Sequence, residues 1–198
     1  MRCWEWRRKG AMRTSIWGRG RAAIALAALC LVSAGTALAA SSSAIGPARA
    51  KITIKGGDSF KPNAYITNTY HFVSGTVVIR SGGTVTLTNT TSEAHSLSIV
   101  KRSDVPRTVG QANNCAICVP ILQSHGVNPN GPPVSGPPPI LLVNVGRPGF
   151  DTPGDSILVG PKGRGHSQVS FKVTANRGTT LYFICVIHPW MQGRFVVR

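Results

Sequence analysis

Beyond residue 40 the chain is built from short runs of β-branched and aromatic residues, divided by glycine, asparagine and proline. TVTLTN alternates polar and apolar positions, and so do KITIK and QVSFKVTA, which is the two-residue period of a half-buried strand. Read this way, strands are predicted at 51–55, 70–73, 76–81, 84–89, 94–100, 140–145, 168–175, 179–186 and 193–198. Gly56-Gly57, Gly82-Gly83, Asn89 and Asn176-Arg177-Gly178 supply the turns between them. No segment of ten or more residues with a helical period follows Ala40. Near-regular strands without helices predict an all-β sandwich or barrel, and the roughly 158 residues available can bury a core without disulfides.

Two stretches break this pattern. From about 101 to 165 the chain becomes rich in turn formers, with Asn128-Pro129-Asn130-Gly131-Pro132-Pro133 and then Pro137-Pro138-Pro139. Proline cannot donate to a strand ladder, so this is expected to be a surface excursion between two sandwich strands, with 140–145 its one regular piece. At the other end, residues 1–21 hold seven basic side chains against Glu5, and Ala22 to Ala40 carries no charge. A basic stretch, an apolar stretch and small residues at Ala37 and Ala39 form the layout of a secretory signal peptide. The expected organisation is a signal peptide over 1–40, a linker over 41–50 and one domain over 51–198. That predicts export to the periplasm or the extracellular space, or anchoring to the membrane if the apolar run is retained.

The formal charge of +16 changes meaning once the leader is set aside. Fifteen basic and five acidic residues remain, scattered along the chain with no basic run beyond Lys101-Arg102. Nucleic-acid binders concentrate such charge with aromatics on one face, so no nucleic acid is expected. An acidic protein partner or an anionic membrane surface fits better.

The chemistry gathers near the carboxyl end, in Cys185-Val-Ile-His188-Pro-Trp-Met191. Thiolate, imidazole and thioether within seven residues are a ligand set suited to copper. Cys185 ends an apolar strand on the face of Leu181 and Phe183, while His188 and Met191 fall in the turn that follows. A fourth ligand is expected from AHSLSIV, where His95 shares a face with Leu97 and Ile99, and Ser96 with Ser98 lies opposite. Alone, such a histidine reads as a hydrogen-bonded core residue; beside the other three it completes a blue-copper set of two His, one Cys and a weak axial Met.

These segments resemble the cupredoxins, the type 1 copper electron-transfer proteins that include plastocyanin, pseudoazurin and amicyanin. TVTLTNTTSEAHSLSI is similar to the family's strand, turn and first-histidine strand, and TTLYFICVIHPWMQGRFVV to its ligand loop. The Cys-x2-His-x2-Met spacing is most like amicyanin. The resemblance covers 51–100 and 166–198 and implies a Greek-key β-sandwich holding one type 1 copper. By that resemblance His95, Cys185 and His188 are equatorial ligands and Met191 the axial one. Many members carry Asn directly after the first histidine, where it pins the ligand loop; this chain has Ser96. The insertion 101–165 has no counterpart in the compact members.

Three strong ligands plus Met leave no open position for substrate, so an electron carrier between redox protein partners is expected rather than an enzyme, and as a monomer. A copper store, chaperone or sensor is the alternative. Packing around Phe183 and Val186 is expected to stiffen the site. His188 is expected nearest the surface, with Pro189 and Trp190 either framing its edge as an apolar patch or packed in the core. Cys115-Ala-Ile-Cys118 reads as a disulfide or, with His125 or His166, as a second metal centre. His71 reads as structural, and Asn89-Thr90-Thr91 as a glycosylation acceptor placed too close to the copper end to serve.

Overall fold

The computed structural model describes residues 45–129 and 139–198. The expected signal peptide, the first residues of the expected linker and most of the proline-rich run lie outside the described residues. Twelve strands are present: β1 Arg49–Lys55, β2 Asp58–Lys61, β3 Tyr65–Asn68, β4 His71–Phe72, β5 Thr76–Ile79, β6 Gly83–Asn89, β7 His95–Val100, β8 Leu142–Val143, β9 Ser156–Val159, β10 Gln168–Val173, β11 Thr180–Ile184 and β12 Gln192–Val197. Two short helices, α1 Val109–Asn113 and α2 Cys118–Ser124, lie in the insertion.

The strands form two sheets, ordered β10-β6-β1-β4 and β5-β12-β11-β7-β9-β8, with β2-β3 as a separate hairpin. Strand β6 runs parallel to β1 and antiparallel to β10, and its strict alternation of buried and part-exposed positions follows TVTLT through the register. Val85 and Leu87 point inward, while Thr86 meets Ser170 across the outer face, Oγ to Oγ at 3.0 Å. The inward faces of both sheets share one apolar core, the arrangement of a β-sandwich.

Phenylalanines carry much of that core. Phe183 packs edge-on against Phe72 at 5.2 Å and obliquely against Phe195 at 4.8 Å, and Phe150 stacks on Phe171 at 4.2 Å. On β12, a side chain at Gly193 would collide with the Phe183 ring and reach within 3.0 Å of the Gly75 carbonyl. The strand can therefore lie across that ring only with glycine there. Gly193→Ala is expected to destabilise the protein by about 1–3 kcal/mol, read as a lowered urea midpoint with an unchanged slope.

Several predicted boundaries move. β1 begins at Arg49, inside the stretch expected as linker, because the backbone of Pro47 and Ala48 already bonds to Arg80 and Thr84. The hairpin β2-β3 was unpredicted, since SFK and YITN are short and wholly solvent-exposed apart from Asn68. Within 101–165 the departure is larger. Only Leu142–Val143 of the expected 140–145 strand is regular, and the buried strand of the insertion is instead β9.

Every residue of β9 is buried, as is every residue of β7 beside it, so neither shows a solvent-exposed face. The cover is the insertion itself. Cys118 and Ile121 of α2 pack with Val100, Ile184 and Val186 on the outer side of the second sheet. A disulfide joins Cys115 to Cys118 and ties down the entry to α2. Asp155, fully buried, accepts backbone N–H groups from Val145, Asp151 and Thr152 at 2.7–2.8 Å and so fixes the loop that delivers β9. Among the described residues, α2 and β9 make the insertion a packed layer rather than a surface excursion.

Candidate metal centre

At one end of the sandwich, β7 opens on His95 and β11 has just ended before Cys185. The turn after β11 is closed by its own backbone: Met191 N–H donates to His188 O at 2.9 Å, and Cys185 N–H to Met191 O at 3.0 Å. Gln192 then donates from Nε2 to Pro106 O at 2.7 Å and to Pro189 O at 3.2 Å, tying the turn to the insertion. Pro189, with its fixed φ, is buried inside this loop.

These constraints bring three ligand atoms together. Cys185 Sγ lies 3.8 Å from His95 Nδ1 and 3.9 Å from His188 Nδ1, and the two Nδ1 atoms are 3.1 Å apart. A triangle of these sides has a point about 2 Å from every corner, the bond length of a first-row metal to imidazole nitrogen or thiolate sulfur. Among the described residues, this is the group of three His, Cys, Asp or Glu side chains close enough to hold one ion. It fits the equatorial set of a type 1 copper site. Met191 is almost completely buried in the same loop.

Neighbouring groups orient the ligands. Thr91 Oγ1 donates to Asn89 Oδ1 at 2.8 Å, which leaves its lone pairs to accept the Nε2–H of His95 at 2.9 Å. That fixes the tautomer with Nδ1 unprotonated and turned toward Cys185 and His188. Asn89 is itself held, its Nδ2 donating to Glu93 O at 2.6 Å and Gly160 O at 2.8 Å. Buried and fully used, this amide is no acceptor for a glycan. On the opposite strand, Ser96 N–H points at Cys185 Sγ at 3.3 Å, and Ser96 Oγ accepts from Val186 N–H at 2.8 Å. The serine thus pins the ligand loop where many cupredoxins are expected to use asparagine.

Burial dominates the electrostatics. It holds His95 down to about 4, with the neighbouring His188 adding to the effect, and lowers His188 as well. Burial also pushes the Cys185 thiol up, against the opposing backbone hydrogen bonds of Ser96, His188 and Ile187. Both imidazoles are therefore neutral and ready to ligate at neutral pH, whereas the thiol must release a proton to a metal. The unfolded chain protonates His95 near 6.5 and the folded one only near 4, so stability falls as pH drops through that window. For the metal-free protein the His95 contribution to this loss reaches about 3 kcal/mol at pH 4. Denaturant titrations at pH 7 and pH 4.5 check it; equal stability at both would contradict it.

Tyr70 was not singled out in the sequence, yet its buried ring lies 4.9 Å from that of His95 and 5.0 Å from that of His188. Its hydroxyl donates to Asp58 Oδ1 at 3.2 Å, so it closes one side of the site while anchoring the β2-β3 hairpin. His188 is half-buried, with the ring of Trp190 at 5.2 Å; Trp190 is 43% exposed and Ile187 38%. Trp190 is thus a surface neighbour of the histidine and not core packing. The remaining histidines stand apart: His71 and His166 are exposed, and His125 is buried within the insertion, directly after α2. With Cys115 and Cys118 joined, the second metal centre loses its thiolates.

No protein-family model matches the chain, and no curated protein matches it in sequence. Solved structures that are similar in fold are cupredoxins. Auracyanin A of Chloroflexus aurantiacus, a "blue" copper protein, is 21% identical, with 76% of this chain and 98% of that one covered and a TM-score of 0.39. The purple cupredoxin of Nitrosopumilus maritimus is 17% identical over 75% and 99%, with a TM-score of 0.38. Amicyanin of Paracoccus versutus is 13% identical over 79% and 83%, with a TM-score of 0.34.

Proposed function

We propose that this protein is an exported type 1 copper protein that carries single electrons between redox partners. The observation that carries the reading is the triangle of His95 Nδ1, Cys185 Sγ and His188 Nδ1, already set at metal-binding separations within a buried, hydrogen-bonded frame. Met191 is the fourth ligand of this reading. Bound copper supplies a one-electron couple.

What the chain itself contributes is a fixed geometry between the two oxidation states. Thr91 and Asn89 hold His95, Ser96 holds the Cys185 loop, Tyr70 packs against both histidines, and Phe183 shares the core cluster with Cys185 and Met191. Because these groups are locked by neighbours, little reorganisation accompanies a change of charge. His188, beside exposed Trp190 and Ile187, is the ligand next to an apolar surface on which a partner can dock. The scattered excess of basic residues favours acidic protein partners, while an anionic membrane surface remains a second class of contact and nucleic acid is not one. No described helix is long and apolar enough to cross a membrane. The domain acts as a monomer outside the cytoplasm in this reading.

Titration of the purified protein with Cu(II), followed by visible absorption and voltammetry, tests it. One equivalent should give an intense thiolate-to-copper band and a reversible one-electron wave. A colourless protein that takes up Cu(I) and releases it readily would instead make it a copper store, chaperone or sensor.

A further inference from the structure

The insertion is connected to the metal centre by a buried line of hydroxyl groups. Ser96 Oγ lies 3.0 Å from Ser98 Oγ, Ser98 Oγ 2.7 Å from Ser156 Oγ, and Ser156 Oγ 2.7 Å from His125 Nε2. The far nitrogen, His125 Nδ1, faces the carbonyl oxygen of Ile140. All four of these side chains belong to fully buried residues. Ser98 and Ser96 lie on β7, Ser156 on β9, and His125 directly follows α2, so the line crosses from the sandwich into the insertion.

Its direction follows from donors and acceptors. The Ile140 carbonyl can only accept, so His125 Nδ1 bears the proton. In a neutral imidazole Nε2 is then bare and accepts from Ser156 O–H. Ser156 in turn accepts from Ser98, and Ser98 accepts from Ser96. The Ser96 proton is thereby committed to Ser98, its lone pairs receive Val186 N–H, and the Cys185 sulfur receives the Ser96 N–H without the Ser96 O–H. Run the other way, the line would release the Ser96 proton from Ser98, beside the backbone bonds that link Ser96 to the Cys185 turn.

We propose that His125 is a positioning residue for the metal centre: through Ser156, Ser98 and Ser96 its Nδ1–H tautomer turns the hydroxyl protons away from Cys185 and so limits the hydrogen bonds the thiolate receives. This assigns the insertion a part in tuning the site, and its consequence for copper rests on the function proposed above. Burial keeps the His125 imidazole below its ordinary range, which favours the neutral ring the line requires. A hydrogen bond added to a thiolate withdraws charge from the metal bond, raising both the charge-transfer energy and the reduction potential.

The test has two arms on the full chain. In the metal-free protein, nitrogen-15 NMR of the histidines should find His125 protonated at Nδ1 and bare at Nε2; a proton on Nε2 overturns the proposal. In the Cu(II)-loaded protein, Ser156→Ala should move the thiolate band to shorter wavelength and raise the potential, and Ser156→Thr, which keeps the hydroxyl, should restore both. If Ser156→Ala does not fold, Ser98→Ala removes the acceptor of the Ser96 proton directly and should give the same shifts. Unchanged band and potential in a folded alanine variant overturn the proposal. A wild-type protein without a thiolate band would defeat the copper reading alone, leaving the tautomer measurement to decide the relay.

Discussion

Cys185→Ser protein exposed to Cu(II) is expected to be colourless and to bind copper more than about a hundredfold more weakly, beyond the range seen on losing a supporting outer group. The substitution changes one buried atom and adds no bulk. Serine's hydroxyl does not ionise near neutrality and is a hard, weak ligand, so the soft thiolate has no replacement. The fold should survive, because Ser96 N–H can still donate to an oxygen where it now meets sulfur at 3.3 Å. Absorption spectra and competition with a copper chelator measure the effect. A persistent intense band would mean that another group is the chromophore.

The second large effect is on stability. Phe183→Ala is expected to cost about 3–5 kcal/mol, because the ring is fully buried and its removal leaves a large cavity in the core. Phe72 and Phe195 flank it from strands β4 and β12, each held in its own ladder, and Gly193 passes directly beneath. Phe183 also lies two residues before Cys185 on the same inward face. The cavity should therefore loosen the ligand turn as well as weaken the sandwich. Urea unfolding of the metal-free variant reads the first effect, and faster amide exchange at Cys185 and Met191 reads the second. A loss below about 1 kcal/mol would show that the core around Phe183 repacks.

How far these features were legible in the sequence depends on the interaction that fixes each of them. Strands such as 84–89 were readable because one face is wet and the other dry, which writes a two-residue alternation into TVTLT. The candidate ligands were readable because soft side chains at short spacing have few other uses together. β9 was not, since a strand buried on both faces loses its alternation and SILV alone is compatible with many states. Helix α2 was missed because its seven residues hold too few turns for a period to show. The support roles of Asn89, Thr91 and Tyr70 have no local signature: the first two stand out only as a turn former and a glycosylation-acceptor motif, and Tyr70 only as a strand residue. Their roles arise from pairings across space: Asn89 with Gly160, Tyr70 with two histidines more than twenty residues away. Ser96 was visible as a departure from the family pattern, but that it still pins Val186 could be read only once both strands were in place.

Copper K-edge X-ray absorption on protein loaded with one equivalent, repeated on His95→Ala and Cys185→Ser, examines the coordination itself. The expected wild-type spectrum has two nitrogen neighbours near 2 Å and one short sulfur, with the sulfur shell gone from the Cys185 variant and one nitrogen gone from the His95 variant. A wild-type copper surrounded by nitrogen and oxygen alone, or a spectrum indifferent to both substitutions, would contradict the assignment.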